Sequence, residues 1–291
     1  FEAVRTFPGA VFLPGFWSEY GMCTEPSAFG SRLVWHEREL PFAEPIMRGS
    51  ETALALEKPD VRSAGLLPFV LRRLVRARPA IEAEGHAIRF AVARGPLNIA
   101  SFLMGTTEFL MAMQLDPEGT HRMLETITRL LEGWIKLPAA AIPTMRGVLL
   151  LDDIVGFIGP DDVAAFAVPY LKRVFGAIDG EVRFFHNDAN GLSCAPQLAG
   201  AGVNLFNFGF EHPIAEMRAL AGPEVALLGN IPPRDVLAAG TTGQVREHVA
   251  AMKAALGRDY TRVVFSCGGG LPPGVPTANL RAFLDDAARR G

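Results

Sequence analysis

The sequence predicts an α/β fold: a closed (β/α)8 barrel of the TIM type, forming one domain over residues 1–291. Three observations predict it. Apolar runs of strand length alternate with segments of helical period, and counting the runs gives eight. One of them, Gly147-Val148-Leu149-Leu150-Leu151, is almost continuously apolar, as a strand buried on both faces is. Run after run also stops at a polar residue: Glu19, His36, Arg94, Asp152, His186, Asn207, Asn230 and Cys267. A barrel gathers its strand ends on one rim, and that rim is where such folds do chemistry.

Taken in order, the first two expected strands are Val11–Phe16, closing at Trp17, and Arg32–Glu37. Residues 38 to 65 hold three prolines and read as loop. Leu66 to Ala83 is helical in period, with Arg72, Arg73, Arg76 and Arg78 largely opposite the apolar side, a solvated face. A third strand, Ile88–Ala93, ends at Arg94-Gly95-Pro96. Helices are expected over Ile99–Gln114 and from Pro117 to about Leu137, the proline sitting in a first turn. The fourth strand stops at Asp152-Asp153, a helix starts at Pro160-Asp161, and the fifth strand carries Phe184-Phe185-His186-Asn187-Asp188. The rest alternates: helix about Ala195–Ala201, strand Val203–Phe208, helix Ile214–Leu220, strand Val225–Leu228, helix Gly243–Leu256, strand Arg262–Ser266 and helix Thr277–Arg290.

Composition narrows the function. A chain of 291 residues, 49% of them hydrophobic, has enough apolar content for a large core. The net charge of -3 and the lack of a basic run give a nucleic-acid surface no electrostatic support. No apolar stretch is long enough for a transmembrane helix and none reads as a signal peptide, so a cytoplasmic protein is expected. Cys23, Cys194 and Cys267 lack the spacing of a disulfide framework and suit a reducing compartment. A start at Phe1 leaves open a longer natural N-terminus. No Gly-x-Gly-x-x-Gly turn follows an early strand, which removes the best marker of a dinucleotide fold.

Several motifs over roughly residues 90 to 291 resemble the uroporphyrinogen decarboxylase superfamily. They are Gly95-Pro96-Leu97-Asn98-Ile99-Ala100, Asp152-Asp153, Gly229-Asn230-Ile231 with Asp235-Val236-Leu237, and Cys267-Gly268-Gly269-Gly270 with Pro276-Thr277-Ala278-Asn279. The resemblance implies a (β/α)8 barrel and one of two chemistries. The decarboxylases carry two arginines on an N-terminal glycine-rich loop for the substrate's carboxylates; residues 9 to 30 offer Trp17, Glu19, Tyr20 and Glu25 instead. The other branch, zinc-dependent methyltransferases that work with corrinoid proteins, carries His-x-Cys at one strand end and a second Cys at a glycine-rich strand end. His186 and Cys267 match that pattern, and Asp188 stands where the first cysteine is expected.

The resemblance therefore implies zinc held by His186, Asp188 and Cys267, with a position left open for substrate. Asp188 reaches the metal if the chain turns out of the strand at Asn187. A carboxylate in place of a thiolate leaves a harder, more Lewis-acidic metal and favours oxygen or nitrogen substrates, such as a methyl ether, beside the thiols of the branch it resembles. Asp152, Asp153, Glu19 and Tyr20 are the candidate acid, base and orienting groups, and Trp17, His36, Asn207 and Asn230 the candidate substrate contacts. No cobalamin-binding module is visible, so a corrinoid would be carried on a partner protein. Bland readings stay open: His186 as a hydrogen-bonded barrel residue, Asp188 as a loop carboxylate, Cys267 as a small buried apolar residue, Cys194 as a substitute ligand. So do a metal-free decarboxylase using Asp152 or Asp153 and a barrel that only binds a ligand.

Overall fold

The computed structural model describes residues 1–37, 39–47, 56–257 and 259–289. Parts of the expected loop 38–65, and the expected last helical residue Arg290, lie outside them. Six strands form a parallel sheet in sequence order: β3 (Phe90–Arg94), β4 (Gly147–Leu151), β5 (Val182–Asn187), β6 (Leu205–Phe208), β7 (Ala226–Ile231) and β8 (Val263–Cys267). Consecutive order means that every crossover runs the same way and places its helices on one face. On that face the large core packs, holding Trp134, Phe185 and Phe206 with the helices Leu67–Ala83, Pro117–Ala141 and Thr242–Leu256.

A separate cluster fills the opposite, inner face: Phe90, Leu149, Phe184, Leu205 and Leu228, with Leu13, Val92, Leu151, Val182 and Ala226 against it. Alternation along each strand sends odd and even residues to these two cores. That is why the runs are apolar throughout rather than alternating. The register Phe90↔Gly147 lays the Phe90 ring over a glycine, where a Cβ would sit 2.6 Å from the ring; Phe90 then meets Phe184 edge-on. Burial of one such side chain stabilises by roughly 1.5–3 kcal/mol, so the inner cluster is a packed plug under the strand ends.

The α/β architecture is as expected, with the strand count corrected. Val11–Phe16 forms no strand: Pro14 has no N–H for a ladder, and Gly15 takes φ +83. Leu13 nonetheless docks on the inner plug. Arg32–Glu37 reduces to β1 (Leu33–Val34), which pairs antiparallel with β2 (Phe42–Ala43) in a two-stranded sheet of its own. The described residues thus carry six parallel strands in barrel order, with no ladder joining β8 to β3. The expected helix Ile99–Gln114 starts earlier and divides into Pro96–Met104 and Thr106–Leu115 at Gly105, whose φ of +99 only glycine adopts freely. The stretch from Ala195 contains a 3-10 turn, Ala195–Gln197, in place of the expected helix. Among the described residues no helix is long and apolar enough to cross a membrane.

Candidate functional site

The ends of β3 and β4 are tied together by the first motif. The helix Pro96–Met104 begins with unpaired backbone N–H groups, and Asp152 takes two of them, from Leu97 and Asn98 at 2.9 Å each. Asn98 returns the tie, donating to Leu151 O at 3.0 Å and accepting from Ile154 N–H at 3.2 Å. Gly95 must be glycine here, since a Cβ would lie 2.2 Å from Asp152 Oδ2. Asp152 is fully buried, which drives its carboxyl well above the carboxylate range against the pull of the two amides. Its oxygens are occupied by the clamp, and the clamp sets where Asp153 emerges.

Register then builds the rim. Arg94, Leu151, His186, Asn207 and Leu228 are successive cross-strand partners on β3 to β7, and Leu151 and Leu228 belong to the inner plug. Arg94, His186 and Asn207 therefore stand on the inner face at the carboxyl end of the sheet. Past His186, the strand ends at the buried Asn187, whose Oδ1 accepts from Ala189 N–H at 2.9 Å and whose amide donates to Cys194 Sγ at 3.6 Å. This turn carries Asp188 out of the ladder and back over the histidine.

The result is a close group of three. His186 Nε2 lies 3.8 Å from Asp188 Oδ2 and 4.0 Å from Asp153 Oδ1, and Asp188 N–H donates to Asp153 Oδ1 at 3.2 Å. One ligand atom from each residue falls within 4.8 Å of the others, the only such group among the described residues. Burial pushes the Asp153 carboxyl up, with the Asp188 charge adding and His186 opposing. On its other edge, His186 Nδ1 meets Asn207 Oδ1 at 2.7 Å, and the Asn207 amide donates to Leu228 O at 2.6 Å and Cys267 O at 3.1 Å.

Cys267 does not join the three. Its register partner is Ile231, which packs in the helix-side core, and Cys267 lies in that same cluster with Val263 and Phe265. Its thiol donates to Gly269 O at 3.0 Å and burial raises its pKa. The residue on the inner face is Ser266, the partner of Asn230. The glycines after it have steric reasons of their own. A Cβ on Gly268 would sit 2.7 Å from Phe210 N, and one on Gly269 would sit 2.9 Å from Asp188 Oδ2. Cys194 is buried, with its pKa pushed up to about 12.

Glu19 belongs to the rim through Arg94, whose Nη2 donates to Glu19 Oε1 at 2.7 Å. Glu25, only 2% exposed, accepts from Arg94 N–H at 3.2 Å through Oε1, and its Oε2 has no partner. Burial, aided by the Glu19 charge, pushes Glu25 up to about 7; burial likewise raises Glu19, against Arg94. Tyr20 is engaged elsewhere, accepting from Arg73 Nη1 at 2.6 Å and packed between Trp35 and Phe69. His36 stacks on Phe42 of the small sheet, and Trp17 is 38% exposed; neither has a hydrogen bond or ion pair to the group of three among the described residues. Asn230 spends its amide on Gly209 O and His212 O. Sequence reasoning put Arg94 on the rim without assigning it a task, named Glu25 only among the residues standing where the decarboxylases carry arginines, and placed Asp153 with the acids and bases rather than the ligands. Arg94 closing a strand was the available signal.

Comparisons with known proteins agree with this architecture. Residues 16–290 match the family described as uroporphyrinogen decarboxylase (URO-D). A uroporphyrinogen decarboxylase of Vibrio cholerae is 25% identical over 280 residues, covering 90% of this chain and 75% of that protein. One of Chloroherpeton thalassium is 26% identical over 271 residues, covering 89% and 74%. Among solved structures, a methyltransferase from Methanosarcina mazei superposes with TM-score 0.75 at 17% identity, over 90% of this chain and 76% of that one. A B12-independent methionine synthase from a Shewanella species superposes with TM-score 0.54 at 12% identity, over 89% and 74%. A parallel α/β fold with its polar groups at the strand ends, matched over nearly its whole length, places the chain in the uroporphyrinogen decarboxylase family.

Proposed function

We propose that this member of the family is a zinc-dependent methyltransferase, moving a methyl group between a small molecule and a corrinoid carried on a separate protein. The observation that carries the metal reading is His186 Nε2 facing two carboxylate oxygens at 3.8 and 4.0 Å. One imidazole nitrogen and two anionic oxygens converging within 4.8 Å form a legitimate donor set for zinc, and one that leaves coordination positions open. Asp153, His186 and Asp188 are the proposed ligands. Cys267, expected as a ligand from the resemblance to the zinc-dependent methyltransferases, is the alternative third donor that the test below separates. When bound, zinc supplies Lewis acidity, polarising the heteroatom that bears or receives the methyl group.

The chain's own residues do the rest. The plug residues Leu151 and Leu228, in register with His186 and Asn207, give the site an apolar flank, and Glu19 holds the Arg94 guanidinium on the same rim. With Glu19, Asp153 and Asp188 beside Arg94, whose charge Glu19 already pairs, the rim favours a cation and repels a polyanion. That charge balance weighs against the second reading, a metal-free decarboxylase of a carboxylate-rich substrate, which the names of the curated relatives favour.

Elemental analysis of purified protein is the test. About one zinc per chain is expected, lost in His186→Ala and Asp153→Asn and kept in Cys267→Ala. Loss in Cys267→Ala with retention in Asp153→Asn moves the third ligand to the cysteine. A folded wild-type chain that takes up no zinc ends the metal reading, and turnover of a porphyrinogen by that metal-free protein establishes the decarboxylase.

A further inference from the structure

Asn207 was expected among the substrate contacts, but its surroundings give it a different task. It is 4% exposed, so a ligand in the open site has almost no access to it. Its carboxamide is the hinge of a four-strand connection: Oδ1 faces His186 on β5, while Nδ2 donates to Leu228 O on β7 and Cys267 O on β8. An amide nitrogen carries only donors and an amide oxygen only acceptors. Two carbonyls on one side therefore fix which end of the amide is nitrogen. The oxygen must point at the histidine, and at 2.7 Å it accepts a hydrogen bond, so the proton of the neutral ring sits on Nδ1.

We infer that Asn207 is a positioning residue that holds His186 in its Nδ1–H tautomer and turns the bare Nε2 lone pair toward Asp153 and Asp188. The tautomer follows from the hydrogen bonds alone; its consequence for metal affinity rests on the proposed function. Had the proton been on Nε2, a donor N–H would point between the two carboxylates, and the ring would offer them no lone pair to share with a cation.

The test compares Asn207→Leu with Asn207→Asp in the full-length chain. Leucine removes the acceptor and both donors. Aspartate keeps an oxygen for Nδ1–H and loses the two donors, so both variants remove the side-chain hydrogen bonds to the carbonyls of Leu228 and Cys267 and both lose stability. Only leucine should lose the tautomer. Long-range nitrogen–proton NMR of the metal-free proteins, at a pH where the imidazole is neutral, is expected to show His186 protonated on Nδ1 in the wild type and in Asn207→Asp. A mixture of tautomers is expected in Asn207→Leu. Zinc affinity by chelator competition should fall about 10- to 100-fold in Asn207→Leu and be largely kept in Asn207→Asp. A proton on Nε2 in the wild type, or a tautomer unchanged in Asn207→Leu, overturns the inference. Equal loss of the tautomer in both variants also overturns it, reducing Asn207 to a strand tie. If the tautomer responds as expected but no variant binds zinc, the positioning role stands and the metal reading falls.

Discussion

Glu25 offers a measurement that is independent of any substrate. Its carboxyl is buried behind Arg94 with one oxygen unpartnered, and burial lifts it from its ordinary 4.5 to about 7. Raising a carboxyl over that interval corresponds to about 3 kcal/mol of preference for the protonated form in the folded chain. The sign follows from proton binding: the folded state holds this proton more tightly than the unfolded state does. Stability from Glu25 is thus fully present below about pH 4.5 and is lost as the pH rises through about 7. Glu25→Gln removes the titration while keeping the shape. Its amide nitrogen meets the same empty surroundings as Oε2, an offset of about 1–3 kcal/mol that does not change with pH. The readout is therefore the slope. Urea denaturation across this range should show wild-type stability declining relative to the variant by on the order of 3 kcal/mol, most steeply between the two pKa values. Parallel stability curves for the two proteins would refute the reasoning and mean that Arg94 and water compensate the buried charge.

Three further outcomes follow from the same geometry. Gly95→Ala places a methyl group 2.2 Å from Asp152 Oδ2, which two amides hold in place, and should destabilise by about 1–3 kcal/mol in thermal unfolding. Most of that cost should vanish in an Asp152→Ala background, so a double-mutant cycle that adds without coupling refutes the clamp. Gly269→Ala combines φ +96 with a Cβ 2.9 Å from Asp188 Oδ2; it should weaken metal binding more than Gly270→Ala, where nothing lies within 4 Å. Phe185→Ala, at a fully buried position of the helix-side core, should cost about 3–5 kcal/mol in urea denaturation without altering metal content in the fraction that stays folded.

How far the sequence carries is best judged at single residues. The runs that became β3 to β8 were legible because burial on two faces demands unbroken apolar residues, which composition alone displays. Val11–Phe16 has the same composition and no ladder, because a strand also needs N–H donors and extended backbone: Pro14 lacks the N–H, and Gly15 at φ +83 leaves the extended region. The site divides on a finer scale. Asp152 and Asp153 are adjacent carboxylates with opposite fates, one sealed into a helix start contributed by residues more than fifty positions earlier, the other released to face His186. Ser266 and Cys267 are adjacent at a strand end, and alternation gives the inner face to the serine. In both pairs the chemistry is set by which face a residue takes. A slip of one residue in register would exchange the members of each pair, so the sequence announces that a strand end is polar without deciding which of its polar groups enters the site. What resolves the ambiguity is the row Arg94–Leu151–His186–Asn207–Leu228: once Leu151 and Leu228 are committed to the plug, every residue in register with them is committed to the inner face. Packing below the rim therefore selects the residues above it, and an inner-face substitution such as Leu151→Asp, which removes the reason for that commitment, should lower metal affinity although it replaces no ligand.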